Sequence, residues 1–240
     1  MYSFSKFLVE KTSLAYHETL NDKIWSDENL RPEVRKVLLS IADRWRDFAR
    51  IPKSAVKEVQ LTGGNANYNY TDLSDLDVHL VTDYSKIGVG DDFVSDYLFD
   101  KKSMWADSHN IKVRGYPVEL YAQPLDEKPH EGQGVFSLSK NKWIQKPNFL
   151  NLDFSKDSHL ERKTDYFMKR IDSLVDAHSD DVQLLKKIKD KIHSMRGAGI
   201  QKAGEFSFEN LVYKELRNKG YVDKISNYIK TLEDKSLSLD

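Results

Sequence analysis

Asp75 and Asp77 stand one residue apart in the stretch LTGGNANYNYTDLSDLDVHLV, residues 61 to 81. Around them Leu76, Val78 and Leu80 alternate as in a strand buried on one side. Successive strand side chains point to opposite faces, so the two carboxylates share one face and the three apolar residues share the other. Two carboxylates about 6 Å apart repel by roughly 3 kcal/mol at an effective dielectric near 20. A purely structural sheet gains nothing from that pairing. A divalent cation removes the difficulty, because Mg²⁺ takes hard oxygen ligands and commonly uses one or two carboxylates together with phosphate oxygens.

The residues just upstream suit the phosphate. Gly63 and Gly64 close a β-rich run, and without a Cβ they let backbone amides approach an anion closely. If NANYNY opens a helical turn, its first amides, beginning with that of Asn65, face the same anion. Asn65 and Asn67 are read either as contacts to phosphate or sugar or as turn caps. A third carboxylate completes a two-metal arrangement, and Glu119 in YPVELYAQ is the candidate: a lone acid in an apolar strand about forty residues after Asp77, with a crossover helix expected between them. On this reading Asp75 and Asp77 bridge two metal ions, while Glu119 holds only the ion that activates an acceptor hydroxyl. His79 shares the aspartate face by parity and is expected to hydrogen-bond nearby or lie at the surface rather than to ligate.

Gly63-Gly64, ten intervening residues, then Asp75-Leu76-Asp77, and later Val118-Glu119-Leu120 resemble the signature of the polymerase-β-like nucleotidyltransferase superfamily, and the wider sequence is similar to predicted nucleotidyltransferases of tailed bacteriophages. The resemblance covers residues 59 to 121. It implies a turn that binds triphosphate, three acids that bind two divalent ions, Mg²⁺ or Mn²⁺, and transfer of a nucleoside monophosphate with release of pyrophosphate. ATP is the expected donor, and an RNA 3′ end or a small molecule the expected acceptor. The second glycine is often serine in that family and the third acid often aspartate. Two other functions fit the same residues: nucleotidylylation of a partner protein, and a non-catalytic nucleotide- or RNA-binding module. The direction in which Glu119 points discriminates the last.

Positive charge to meet a triphosphate is sought in KKIKDKIHSMR. Lys187 and Lys191, one turn apart, and Arg196 at the helix end are the candidates, and the remaining lysines read as a solvated face. Tyr68, Tyr70, Tyr116, Tyr121 and Trp143 are candidates for stacking on a base, with core packing as the competing use.

These residues need a scaffold, and the patterning describes an α+β fold with a small mixed sheet. Residues 4 to 50 read as helical, with Pro32 at a first-turn position and Val34, Val37, Leu38, Ile41, Trp45 and Phe48 at helical spacing. Residues 56 to 150 read as the sheet, with a helix near 91 to 106. Beyond Pro147 only helical patterns remain: two long amphipathic helices, one opened by Ser207 and closed by Gly220, then a final short helix and a disordered polar tail EDKSLSLD. The expected divisions are 1–55, 56–150 and 151–240. Composition sets the outer limits: 240 residues, 39% hydrophobic, 31% charged, net charge −1 and no cysteine exclude thiolate metal sites and a cysteine nucleophile. No long apolar run suggests a membrane span, and a cytoplasmic protein is expected.

Overall fold

The computed structural model describes residues 12–88, 90, 93–154 and 157–239. They fall into two compact units, Tyr16–Leu152 and a second to which residues 12–15 and 153–239 belong. The fold is α+β.

The first unit begins with a two-stranded ribbon, β1 (Trp25–Ser26) and β2 (Asn29–Leu30), followed by helix α1 (Pro32–Phe48). A six-stranded mixed sheet then forms from β3 (Val56–Thr62), β4 (Leu76–Thr82), β5 (Lys112–Val113), β6 (Tyr116–Pro124), β7 (Val135–Ser137) and β8 (Lys142–Gln145), with α2 (Val94–Ser108) crossing between β4 and β5. The strand order is β5-β6-β4-β3-β7-β8. Among the described strands only β4 and β6 run parallel, which is what a helical crossover allows. Leu76, Val78 and Leu80 of β4 enter one apolar core with Val34, Leu38, Ile41 and Trp45 of α1, so α1 covers the face opposite Asp77.

The expected helix over residues 4 to 50 is corrected: Pro32 does start one, but residues 12–30 are irregular apart from the ribbon, and residues 4–11 lie outside the described residues. The break has a local cause. The Asn21 carbonyl accepts from the amides of Ile24 (3.0 Å) and Trp25 (2.8 Å), and its side chain accepts from the Lys23 amide (3.1 Å). An asparagine turning its own backbone in this way competes with helix.

The second unit is helical: α3 (Ser158–Asp176), α4 (Val182–Ala203), α5 (Phe208–Asn218) and α6 (Tyr221–Leu237). Leu160, Phe167, Ile171, Leu185, Ile188, Ile192, Val212 and Ile225 are among its buried core residues. Gly220, at φ 77°, closes α5, as expected. Ser207 occupies the N-cap of α5 without a side-chain cap hydrogen bond. The final helix is not short: it runs 17 residues and takes in most of the tail expected to be disordered. Glu233 of that tail pairs with Lys186 of α4 at 2.5 Å, tying it to its neighbour.

Strands β3 and β7 are joined below the surface through Glu58, which accepts from the Ser137 hydroxyl and the Lys140 ammonium, both at 2.5 Å. Burial pushes the Glu58 carboxyl up, but the hydrogen bonds from Lys140 and Ser137 outweigh it and hold the group below its usual range. A depressed carboxylate stabilises the fold above its unfolded pKa, about 4.3, and that stability is lost as pH falls through the lower folded value. Lys140→Met is therefore expected to destabilise the protein at pH 7 by about 1 kcal/mol, the exposure of the ammonium keeping the loss small. In urea unfolding the gap to the unsubstituted protein should close below about pH 4.

Candidate functional site

The site follows from strand register. In the parallel β4–β6 ladder Asp77 lies opposite Glu119, and His79 opposite Tyr121. Opposed residues in a sheet share a face, and Asp75 joins them by the two-residue period. The result is a group of three acids, Asp75, Asp77 and Glu119, each offering one carboxylate oxygen within 4.8 Å of the others. Asp75 and Asp77 are half-buried, and the Glu119 side chain is 44% exposed. Glu119 thus points toward the aspartate pair. The donor set is three hard oxygens converging from one sheet face, which suits Mg²⁺ or Mn²⁺.

The glycine turn is built against this group. Gly63 has φ 76° and ψ −166°, a conformation essentially restricted to glycine. A Cβ at Gly63 would also lie 1.6 Å from Asp77 Oδ2. At Gly64 a Cβ would approach Ser74 Oγ at 3.2 Å, so the neighbouring position is close-packed as well. Residues Gly64–Ala66 form a single 3₁₀ turn. Its internal hydrogen bonds come from the amides of Ala66 and Asn67, so the amides of Gly64 and Asn65, first in the turn, have no carbonyl within it to donate to.

The asparagines act inward. Asn65 is fully buried; its Nδ2 donates to the Asp75 carbonyl at 2.8 Å, and its Oδ1 accepts from Asn21 at 2.7 Å. Trp25 Nε1 donates to the Asn65 carbonyl at 2.7 Å. Asn67, also buried, donates to the Gly63 carbonyl at 2.6 Å and accepts from the Gly134 amide at 2.7 Å. Of the two readings of these side chains, turn capping is the one their hydrogen bonds fit. Asn65 thereby fixes the backbone of Asp75.

Lys102 of α2 forms an ion pair with Glu119. Burial raises the Glu119 carboxyl, but the hydrogen bond and charge of Lys102 bring it below its usual range. His79 Nδ1 lies 3.0 Å from Gln123 Oε1, and burial lowers its pKa, which favours a neutral ring. Beside Glu119 opens a hollow of about 300 Å³, lined by Asp75, Lys102, Trp105, His109, Ile111 and Val118 among others. The His109 ring stacks on Trp105 at 3.8 Å.

Lys187, Lys191 and Arg196 lie on α4 of the helical unit. Lys187 and Lys191 are exposed, and the Arg196 guanidinium sits over the Tyr213 ring at 4.3 Å. Among the aromatics, Trp143 stacks on Trp25, Tyr70 stacks on His17, and Tyr116 is buried, which are packing uses. Sequence reading passed over Asn21, Trp25, Lys102 and Trp105. Each reaches the site from a distant segment, and no local motif marks them.

No family model matches the chain, and no curated protein matches it. Among solved structures, a chain described as a STING-associated CdnE c-di-GMP synthase from Capnocytophaga granulosa is similar over 89% of this chain and 88% of that one, at 10% identity and a TM-score of 0.23. At that level the likeness decides nothing about activity. Among the described residues no helix is long and apolar enough to cross a membrane.

Gly63 and Gly115 both have positive φ, but a Cβ at Gly115 meets open space. Gly115→Ala is expected to cost about 1 kcal/mol from backbone strain alone. Gly63→Ala should cost at least about 2 kcal/mol more, because Asp77 must also move. Paired thermal melts check the difference, and equal losses would remove Asp77 as the reason for the glycine.

Proposed function

We propose that this chain is a divalent-metal-dependent nucleotidyltransferase. It moves a nucleoside monophosphate from a nucleoside triphosphate, with ATP as the expected donor, to an acceptor hydroxyl and releases pyrophosphate. The observation that carries this reading is the convergence of Asp75, Asp77 and Glu119 on one sheet face beside the Gly63 turn. Asp75, Asp77 and Glu119 would hold Mg²⁺ or Mn²⁺, which supplies charge neutralisation and acidifies a bound hydroxyl.

The remaining work belongs to the chain. The Gly63–Asn65 backbone, led by the amide of Gly64, cradles the β and γ phosphates, and the buried Asn65 side chain keeps that turn in fixed relation to Asp75. The hollow beside Glu119 receives the acceptor. Its hydroxyl oxygen attacks the α-phosphorus in line; the bond to the bridging oxygen breaks, pyrophosphate leaves, and the hydroxyl proton departs toward the Glu119 carboxylate. Catalysis is then mostly positioning and charge compensation. The direction of Glu119 favours this reading over a binding-only module, which has no use for a third acid turned to the pair.

The test is a transfer assay with each of the four labelled nucleoside triphosphates, Mg²⁺ or Mn²⁺, total RNA and lysate protein. Label entering RNA, a small molecule or protein identifies the acceptor. Asp77→Asn is expected to reduce transfer at least about a hundredfold while melting within a few degrees of the unsubstituted protein. Undiminished transfer by that folded variant would overturn the assignment.

A further inference from the structure

Helix α3 carries its charges in separate stripes. At 3.6 residues per turn, His159, Arg162, Lys163, Tyr166, Lys169 and Arg170 fall within about 120° of arc. The acids Glu161, Asp165, Asp172 and Asp176 occupy a different sector, and Leu160, Thr164, Phe167 and Ile171 form the buried face. Some cations elsewhere are paired, as Lys146 is with Glu28, Lys214 with Glu205 and Lys224 with Asp172. Among the described residues, no carboxylate lies within ion-pair distance of Arg162, Lys163, Lys169 or Arg170.

Two aromatic rings accompany this cationic stripe, one within it and one beside it on α5. Tyr166 is 50% exposed and Phe208, at the head of α5, is 36% exposed. With His159, Arg162 and Lys163 they line a shallow hollow of about 380 Å³. Arg170 donates to the Tyr166 hydroxyl at 2.8 Å, which holds the ring upright, and the Lys163 ammonium lies 5.7 Å over its centre. Uncompensated cations along a line, with accessible rings between them, are the two elements by which proteins hold an unpaired strand: the cations follow the phosphates and the rings stack on bases.

We propose that this face of α3, with Phe208, binds single-stranded nucleic acid. Duplexes hide the base faces that Tyr166 and Phe208 would meet, so the site should prefer unpaired strands. The inference stands on the helical unit alone and is independent of the carboxylate site.

Fluorescence anisotropy of the full chain with labelled oligo(U) and oligo(dT) tests it, the two probes separating RNA from DNA. Saturable binding to at least one is expected. Arg162→Glu combined with Lys163→Glu should weaken it at least about tenfold, and the slope of log affinity against log salt should fall by about 0.7 for each cation removed. Tyr166→Ala should weaken binding about tenfold with the salt slope unchanged. Lys230→Glu, on the exposed surface of α6, should change little. If the charge-reversed pair does not fold, Arg162→Gln with Lys163→Gln serves in its place. The proposal is overturned by no saturable binding to either strand, by losses no larger than for Lys230→Glu, by duplex bound as tightly as single strand, or by anionic vesicles or heparin bound in preference to both strands.

Discussion

In a parallel pair of strands, directly opposed residues project to the same face, so the alignment of Asp77 with Glu119 leaves the chain no way to separate its three carboxylates. At separations near 5 Å each pair repels by about 3 kcal/mol at an effective dielectric of 20. Register cannot slip to relieve this. A shift of one residue would turn Leu76, Val78 and Leu80 out of the core, and each of those side chains contributes roughly 1.5–3 kcal/mol by burial. The apolar face therefore enforces the crowding of the polar one. Lys102 compensates part of the charge at Glu119, and a divalent cation would compensate the rest.

The glycine turn shares this constraint. Asp77 can occupy its place because residue 63 has no side chain, and the backbone angles there exclude almost any other residue. The turn is then fastened from below by buried amides. Asn65 joins it to Asp75 and Asn21, Asn67 joins it to Gly134, and Trp25 closes over it. The backbone that opens the turn and the carboxylates on the adjoining strand are thus held by one hydrogen-bonded unit, the preorganisation that the proposed chemistry needs.

Much of this was legible in the sequence because the controlling patterns are local. Alternation through Leu76, Val78 and Leu80 sets the parity of Asp75 and Asp77, and the spacing from β4 to β6 leaves room for a crossover helix that brings Glu119 alongside. Pro32 marked a helix start and Gly220 a helix end for reasons confined to a few residues. The rest depended on distant contacts. Residues 12–30 resembled the start of a helix until Asn21 turned the backbone, and the inward use of Asn65 is decided by a partner 44 residues away. Lys102 reads in sequence as one more cation on a solvated helix; only the packing of α2 carries it to Glu119. The tail from Glu233 onward read as disordered because its composition is polar, whereas the ion pair of Glu233 to α4 supports its helix.

The central claim is that the three acids form a divalent-cation centre beside a phosphate-binding turn. It is tested most directly by crystals grown with Mn²⁺ and a non-hydrolysable nucleoside triphosphate, with diffraction recorded at a wavelength where manganese scatters anomalously. Anomalous density bounded by the carboxylates of Asp75, Asp77 and Glu119, with the triphosphate against the Gly63–Gly64 turn, is the expected result. Bound nucleotide elsewhere, or manganese that avoids these three side chains, would contradict it.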